Sequence, residues 1–353
     1  MTGLFQILLF WLIGNALSLI TGGYVSGNII GMILLFAALC LRWVRAETVR
    51  PAARFLLGAM ALFFVPYGVG LMDSYRVILE NLWAILVSGI VSTILVLIVA
   101  GQTFQSLNRR ARLRQSNNSA TMPDASFLSS DLFLLTLTVG LYCLGGMIYR
   151  RTRLPLLHPV LLTFVAVIVF LRCAGIGYER YRDATGILNF ALGMSVVALG
   201  YLLYEQLERL RGSLLPVGMA TLAGCVVGVL SVVYIAMAFG AERQILNSIA
   251  PKSVTVPIAV SVAGPLGGNV SVTSVVVFCV GIFGSIFGEW ILRRCGVRDP
   301  EARGFALGAA AHGIGTARAI EIGAAEGALS GLAMALMGLA TALLMPLMEK
   351  YLY

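Results

Sequence analysis

Two stretches of the chain set polar and charged side chains between long apolar runs: Ala250-Pro-Lys-Ser-Val-Thr-Val-Pro-Ile-Ala259 and Ala311-His-Gly-Ile-Gly-Thr-Ala-Arg-Ala-Ile-Glu321. In the first, Pro251 and Pro257 each lack an amide hydrogen and obstruct a helix, while the hydroxyls of Ser253 and Thr255 can bond freed backbone groups or a ligand. A helix interrupted here exposes amides at the positive end of a half-helix, and Lys252 adds a full charge at the same place. The chemistry on offer is anion binding. In the second, Gly313 and Gly315 flank Ile314 after the small-residue run Gly308-Ala-Ala-Ala311, so another backbone or a ligand can approach closely. Thr316 adds a hydroxyl, Arg318 can grip a carboxylate through two parallel bonds, and His312 can titrate near neutral pH or carry a coupling proton. Structural roles compete with these. Lys252 can snorkel from a proline kink, Arg318 can pair with Glu321 three residues on, and His312 can be a packing residue.

The surrounding chain makes such residues costly. It is 59% hydrophobic and 12% charged, with mean hydropathy +0.92, which defines an integral membrane protein. Its 39 glycines suit close helix packing, and the alternating pattern of an outer-membrane barrel is missing, so the class is an all-α polytopic membrane protein. A charge at the bilayer centre costs roughly 2.5 to 3.5 kcal/mol, so Lys252, Arg318 and Glu321 unpaired and deep would cost about 8 to 10 kcal/mol together. A polar site built from interrupted or re-entrant helices offsets that.

With about 20 apolar residues per crossing, four segments fill a first unit, 1–100: 4–20, 24–41, 55–72 and 78–100. Residues 101–130, rich in Gln, Ser and Asn and carrying Arg109, Arg110, Arg112 and Arg114, read as a solvated linker. A second unit, 131–353, offers segments 131–148, 156–171, 185–204, 214–239, 245–263, 270–292, 304–322 and 326–348, for about 12 in all. The net charge of +9 lies in short loops beside apolar runs, which is positive-inside bias and not a nucleic-acid footprint. Arg42, Arg45, Arg50 and Arg54 put the N-terminus in the cytoplasm, and Arg293, Arg294, Arg298 and Arg303 follow the same rule. Arg150, Arg151 and Arg153 fall outside and oppose it. The first apolar run lacks a basic leader and a cleavage site, so the mature protein is expected to start at Met1.

Residues 187–197 align faintly with 245–255, superposing Ser195 on Ser253, and Phe190-Ala-Leu-Gly193 recurs as Phe305-Ala-Leu-Gly308. Internal repeats of this kind often frame a transporter's binding site. Asn189 and Asn247 are expected to cap helices, Asn269 ends a loop that turns back into the membrane, and His158 and Glu289 are expected at interfaces. The six cysteines, Cys40, Cys143, Cys173, Cys225, Cys279 and Cys295, have no metal-ligand or redox spacing. No nucleotide, nucleophile-elbow or metal motif supports an enzyme, and no cofactor is called for.

Residues 4–100, through Thr21-Gly-Gly-Tyr-Val-Ser-Gly-Asn-Ile-Ile-Gly-Met32 and Leu62-Phe-Phe-Val-Pro-Tyr-Gly-Val-Gly-Leu-Met72, resemble the LrgA/CidA family of small holin-like membrane proteins. Residues 131–348 resemble the LrgB/CidB family through the two stretches above, Gly281-Ile-Phe-Gly284, Ala302-Arg-Gly-Phe-Ala-Leu-Gly308 and Glu326-Gly-Ala-Leu-Ser-Gly-Leu-Ala-Met334. The fused layout is similar to that of the plastidal glycolate/glycerate translocator family and its bacterial relatives. Leu192-Gly-Met-Ser-Val-Val-Ala-Leu199 departs from that family's Pro-Ala-Thr pattern, and without a transit peptide the chain looks bacterial. The resemblance implies a secondary transporter of a small monocarboxylate such as glycolate, glycerate, pyruvate or lactate in the bacterial inner membrane. It also implies the alternative of a holin-like pore or regulator of murein hydrolase activity and lysis. The expected substrate site is Lys252, Ser253, Thr255, His312, Gly313, Gly315, Thr316 and Arg318, with Ser195, Asn269 and Glu321 as additional candidates. The first unit is expected to be a scaffold or oligomerisation module, the assembly a homo-oligomer with a dimer favoured, and coupling to H+ or Na+ is left open. A third expectation, an ion channel using His312, Glu321 and Glu289, needs no organic substrate.

Overall fold

Glycines and small residues set how closely these apolar helices pack, and their positions explain most of the architecture. The computed structural model describes residues 2–20, 22–23, 25–63, 65–108, 131–152, 159–174, 176–207 and 214–352. In chain order the helices are α1 (Thr2–Ile20), α2 (Gly27–Cys40), α3 (Ala46–Phe63), α4 (Val65–Val69), α5 (Leu71–Glu80), α6 (Leu82–Asn108), α7 (Asp131–Thr152), α8 (Pro159–Ala174), α9 (Tyr178–Ala184) and α10 (Gly186–Leu207). They continue as α11 (Leu214–Ala238), α12 (Arg243–Ile249), α13 (Val256–Ala263), α14 (Val270–Arg294), α15 (Pro300–Ile322) and α16 (Ala324–Leu352). Among the described residues six helices are long and apolar enough to cross a membrane, or seven if α8 and α9, bent by 120°, form one span. Outward-facing Leu12, Val165, Leu222 and Leu347 suit a lipid environment. The protein is an all-α, multi-pass membrane protein.

Several sequence boundaries move. The fourth span runs on through Asn108, so residues 101–108 are helix and not linker, because Gln102 and Gln105 bond the turn after α14. Arg109, Arg110, Arg112 and Arg114 lie outside the described residues, as do Arg153 and His158. Gly145 of α7 packs against Pro159 of α8, whose far end is tied by Arg172 to the Met72 carbonyl at 2.8 Å. Arg151 therefore lies at the end of the molecule away from Met72.

Two expected spans, 245–263 and 304–322, do not cross. A Cβ added at Gly268 would lie 3.0 Å from both the Asn247 carbonyl carbon and the Ala263 oxygen, and Asn247 Nδ2 donates to Leu266 O at 2.6 Å. α13 thus returns beside α12 as a re-entrant hairpin whose tip is residues 250–255. In α15 the chain reverses at His312, with φ 43° and ψ −131°. A Cβ at Gly315 would overlap the Leu307 carbonyl and sit 2.7 Å from the Ala311 Cβ, which a continuous helix forbids. Residues 300–311 and 313–322 are two limbs of a second hairpin.

The hairpins enter from opposite ends. Arg243 at the base of the first pairs with Glu349, near the end of α16, whereas Arg303 at the base of the second pairs with Glu326, near the start of α16. Each hairpin precedes a long helix, α14 or α16, so 243–294 and 300–352 form an inverted pair. The faint sequence repeat is a different pairing: Ser195 lies within the long helix α10 and bonds Leu56 O at 3.2 Å, unlike Ser253 at a hairpin tip.

Both limbs of the second hairpin press on α16 through glycines. A Cβ at Gly304 or Gly308 would overlap the Glu326 or Ser330 backbone, while at Gly313 it would meet only Met334 Sδ at 3.9 Å. Replacing Gly308 by Val should therefore destabilise the fold by about 1 to 3 kcal/mol, read as a lowered melting temperature in detergent. Gly313→Ala should leave the melting temperature near that of the wild type.

Candidate functional site

The tip of the first hairpin is shaped by its prolines. Lys252 N bonds Ile249 O at 3.1 Å and Val254 N bonds Pro251 O at 3.4 Å, so short turns replace the helix until Thr255 begins α13. Lys252 has 0% exposure, placing its whole side chain inside the protein. Its Nζ donates to Thr93 Oγ1 at 3.2 Å and to Ser253 Oγ at 3.0 Å, both hydroxyls. Among the described residues no carboxylate lies within ion-pair distance of it. Thr255, 4% exposed, carries a buried hydroxyl at the N-terminus of α13 that has no hydrogen-bond partner among the described residues.

The second tip is strained. A positive φ with this ψ is a region that side-chain-bearing residues seldom occupy, costing on the order of 1 to 3 kcal/mol. The surrounding contacts hold it: His312 Nε2 bonds Val277 O at 2.9 Å, and a Cβ at Gly281 would be 2.7 Å from the imidazole. The limb beginning at Gly313 starts at this tip, so its positive end faces the protein interior, as does that of α13.

The two tips meet at α6. A Cβ on Gly284 of α14 would overlap the Ala311 Cβ and lie 3.9 Å from Thr93 Cγ2, the same threonine that accepts from Lys252. Behind them Ser92 Oγ donates to Gly228 O at 2.9 Å and accepts from Ser231 Oγ at 2.7 Å. Gly228 leaves room for Ser253, whose Oγ is 3.7 Å from where a Cβ would stand.

Lys252, Ser253, Thr255 and His312 thus share one interior region, Gly313 next to it is exposed, and Gly315 allows the second hairpin to close. The other expected site residues have different partners. Thr316 Oγ1 bonds Ser330 Oγ at 2.9 Å. Arg318, 41% exposed at its side chain, pairs with Glu321 of its own limb at 3.1 Å and with Glu289 at 3.3 Å, so its guanidinium ties the return limb of the second hairpin to α14. Glu289 also binds Arg293 at 2.7 Å. Asn269 caps α14, accepting from Ser271 N and Val272 N, and exchanges bonds with Ser74 at the opposite end. Asn247 and Asn189 are not caps; Glu242 occupies the N-cap position of α12 without a side-chain capping bond, and Asn189 lies inside α10. Ser92, Thr93 and Ser231 were missed because isolated hydroxyls in apolar helices usually bond their own backbone, and nothing in the sequence pairs α6 with residue 252.

Opposed hairpins with a buried lysine between their tips define a polytopic protein built around an interior polar site. The LrgB-like family model matches residues 138–351 and the LrgA family model residues 11–104, so the chain belongs to the LrgB-like family and carries an LrgA-family segment ahead of that region. The uncharacterized protein YxaC of Bacillus subtilis is 36% identical over 205 residues, 58% of this chain and 89% of that protein. The holin-like protein CidB of Staphylococcus epidermidis is 30% identical over 227 residues, 64% of this chain and 99% of CidB. An uncharacterized protein of Haemophilus influenzae is 31% identical over 223 residues, 63% of this chain and 96% of its own length. No solved structure matches the chain.

Complete burial of Lys252 has a direct chemical consequence. Treating the folded protein in detergent with an amine-acetylating reagent should modify Lys252 much more slowly than after prior unfolding, read by mass spectrometry of its peptide. Equal labelling rates in both states would contradict the buried placement.

Proposed function

We propose that this protein is a secondary transporter of small monocarboxylates such as glycolate, glycerate, pyruvate or lactate. The observation that carries this reading is the buried amine of Lys252, which has hydroxyl partners and no carboxylate counter-charge among the described residues. Its protonated form is expensive without an opposite charge, and a substrate carboxylate supplies one. The inward N-termini of α13 and of the limb after His312 add positive potential, and the unpartnered Thr255 hydroxyl can bond the carboxylate or a 2-hydroxyl. One cation suits one carboxylate. Arg318 is engaged by Glu289 and Glu321, so a dicarboxylate would bring a second charge without a free partner.

The reading places Lys252, Ser253, Thr255, His312 and Gly313 around the substrate, and gives Gly315 and Arg318 a part in holding the second hairpin closed. It further places the protein in the bacterial inner membrane as a homodimer, with the N-terminus and the Arg293–Arg303 end in the cytoplasm. Opening of one hairpin at a time would expose the site alternately to the two sides.

The comparisons favour a second reading. CidB is named a holin-like protein and aligns over 99% of its length, which supports a holin-like pore or a regulator of murein hydrolase activity and lysis. The two readings differ in what crosses the membrane. In proteoliposomes, saturable uptake of labelled glycolate or pyruvate that is lost in Lys252→Met, at unchanged expression and oligomer size, would support the carrier. Release of trapped large dyes, with uptake that neither saturates nor responds to Lys252→Met, would support the pore. Repeating uptake with imposed pH or sodium gradients reads out coupling.

A further inference from the structure

We propose that Thr93, in the LrgA-family segment, is a positioning residue for the anion site: it fixes where the Lys252 ammonium points and so sets substrate affinity. The inference rests on the carrier reading and deepens it by assigning part of the site to α6.

Thr93 is fully buried in the middle of an apolar run, Ile90-Val-Ser-Thr-Ile-Leu95, where valine would serve a membrane span equally well. Its hydroxyl donates to Gly89 O at 2.6 Å, which commits its hydrogen and leaves the oxygen as an acceptor for Lys252 Nζ at 3.2 Å. The other partner, Ser253, is the next residue on the same tip and travels with Lys252. Among the described residues Thr93 is therefore the group from a separate helix that anchors the ammonium. Its methyl, meanwhile, stands 3.9 Å from the Gly284 position against which Ala311 of the second hairpin packs. One side chain thus touches the first tip through its oxygen and borders the second through its methyl. The helix that carries it is held firmly. Ser92 bonds Gly228 O of α11, and at the helix end Gln105 Oε1 accepts from Arg298 N at 2.6 Å and Asp299 N at 2.8 Å. An ammonium tethered to a fixed helix presents its remaining hydrogen in one direction; without the tether it follows the tip loop.

The test uses full-length protein in proteoliposomes and labelled glycolate and pyruvate, comparing wild type, Thr93→Val, Thr93→Ser and Lys252→Met. Losing a hydrogen bond to a charged group should raise KM about tenfold or more in Thr93→Val, with a smaller change in maximal rate, and Thr93→Ser should restore wild-type KM. In detergent, Thr93→Val should alter the melting temperature of wild type but not of the Lys252→Met protein. Should Thr93→Val not fold, Thr93→Ala replaces it with the same expectations. Saturable, Lys252-dependent uptake whose KM is unchanged in Thr93→Val, or is not restored by Thr93→Ser, would overturn this inference and leave the carrier reading standing. Absence of saturable uptake by the wild type would overturn both.

Discussion

A lysine side chain wholly inside an apolar protein is the constraint from which the rest of the architecture follows. Lys252 lies where water cannot solvate it, and its partners are the hydroxyls of Thr93 and Ser253. An uninterrupted span offers no positive backbone end at mid-depth, since every interior amide is bonded within the helix. A re-entrant hairpin supplies one. Pro251 and Pro257 terminate the helical ladder on either side of Lys252, and Thr255 begins a new half-helix directed away from the tip.

The second hairpin answers the first from the other end. Its reversal depends on His312 holding a backbone conformation that favours glycine, stabilised by the bond from the imidazole to Val277 O and by the close fit against Gly281. Histidine at a glycine-like position costs free energy, so the side chain at this tip has a role that glycine cannot fill. The bases of the hairpins are closed by separate ion pairs, Arg243 with Glu349 at one end and Arg303 with Glu326 at the other. The two ion pairs thus lie at opposite ends of α16.

The parts of the chain matched by the LrgA and LrgB-like families interlock. α6 runs antiparallel to α11, with Gly224 beside Ala100 and Gly228 beside Val96, and its last turn grips the turn between α14 and α15. Near the N-terminus Trp11 Nε1 donates to Asn28 Oδ1 at 2.9 Å, and Asn28 Nδ2 donates to Ser261 on the return limb of the first hairpin at 3.1 Å. These partly buried hydrogen bonds and close glycine contacts hold the elements in register. The first segment is accordingly more than the scaffold its lack of charged breaks suggests, because it furnishes acceptors to helices of the second.

Composition alone determined that the chain is helical and membrane-embedded, since no other backbone arrangement in this sequence buries so much apolar surface with its amides satisfied. The two interruptions were also legible, because prolines, glycines and charges within apolar runs are a local signal that needs no neighbours. Tertiary structure decided what the interruptions do. A run such as Gly308-Ala-Ala-Ala311 followed by further small residues reads as one helix, and only the overlap of Gly315 with Leu307 shows the reversal at His312. Likewise Arg318 and Thr316 share a motif with His312 but turn to Glu289, Glu321 and Ser330, because the return limb carries them away from the tip. Thr93 and Lys252 lie far apart in sequence, and their hydrogen bond exists because α6 packs between the hairpins. Contacts of that range follow from helix packing, whose small-residue determinants are spread over several segments and carry no local pattern to read.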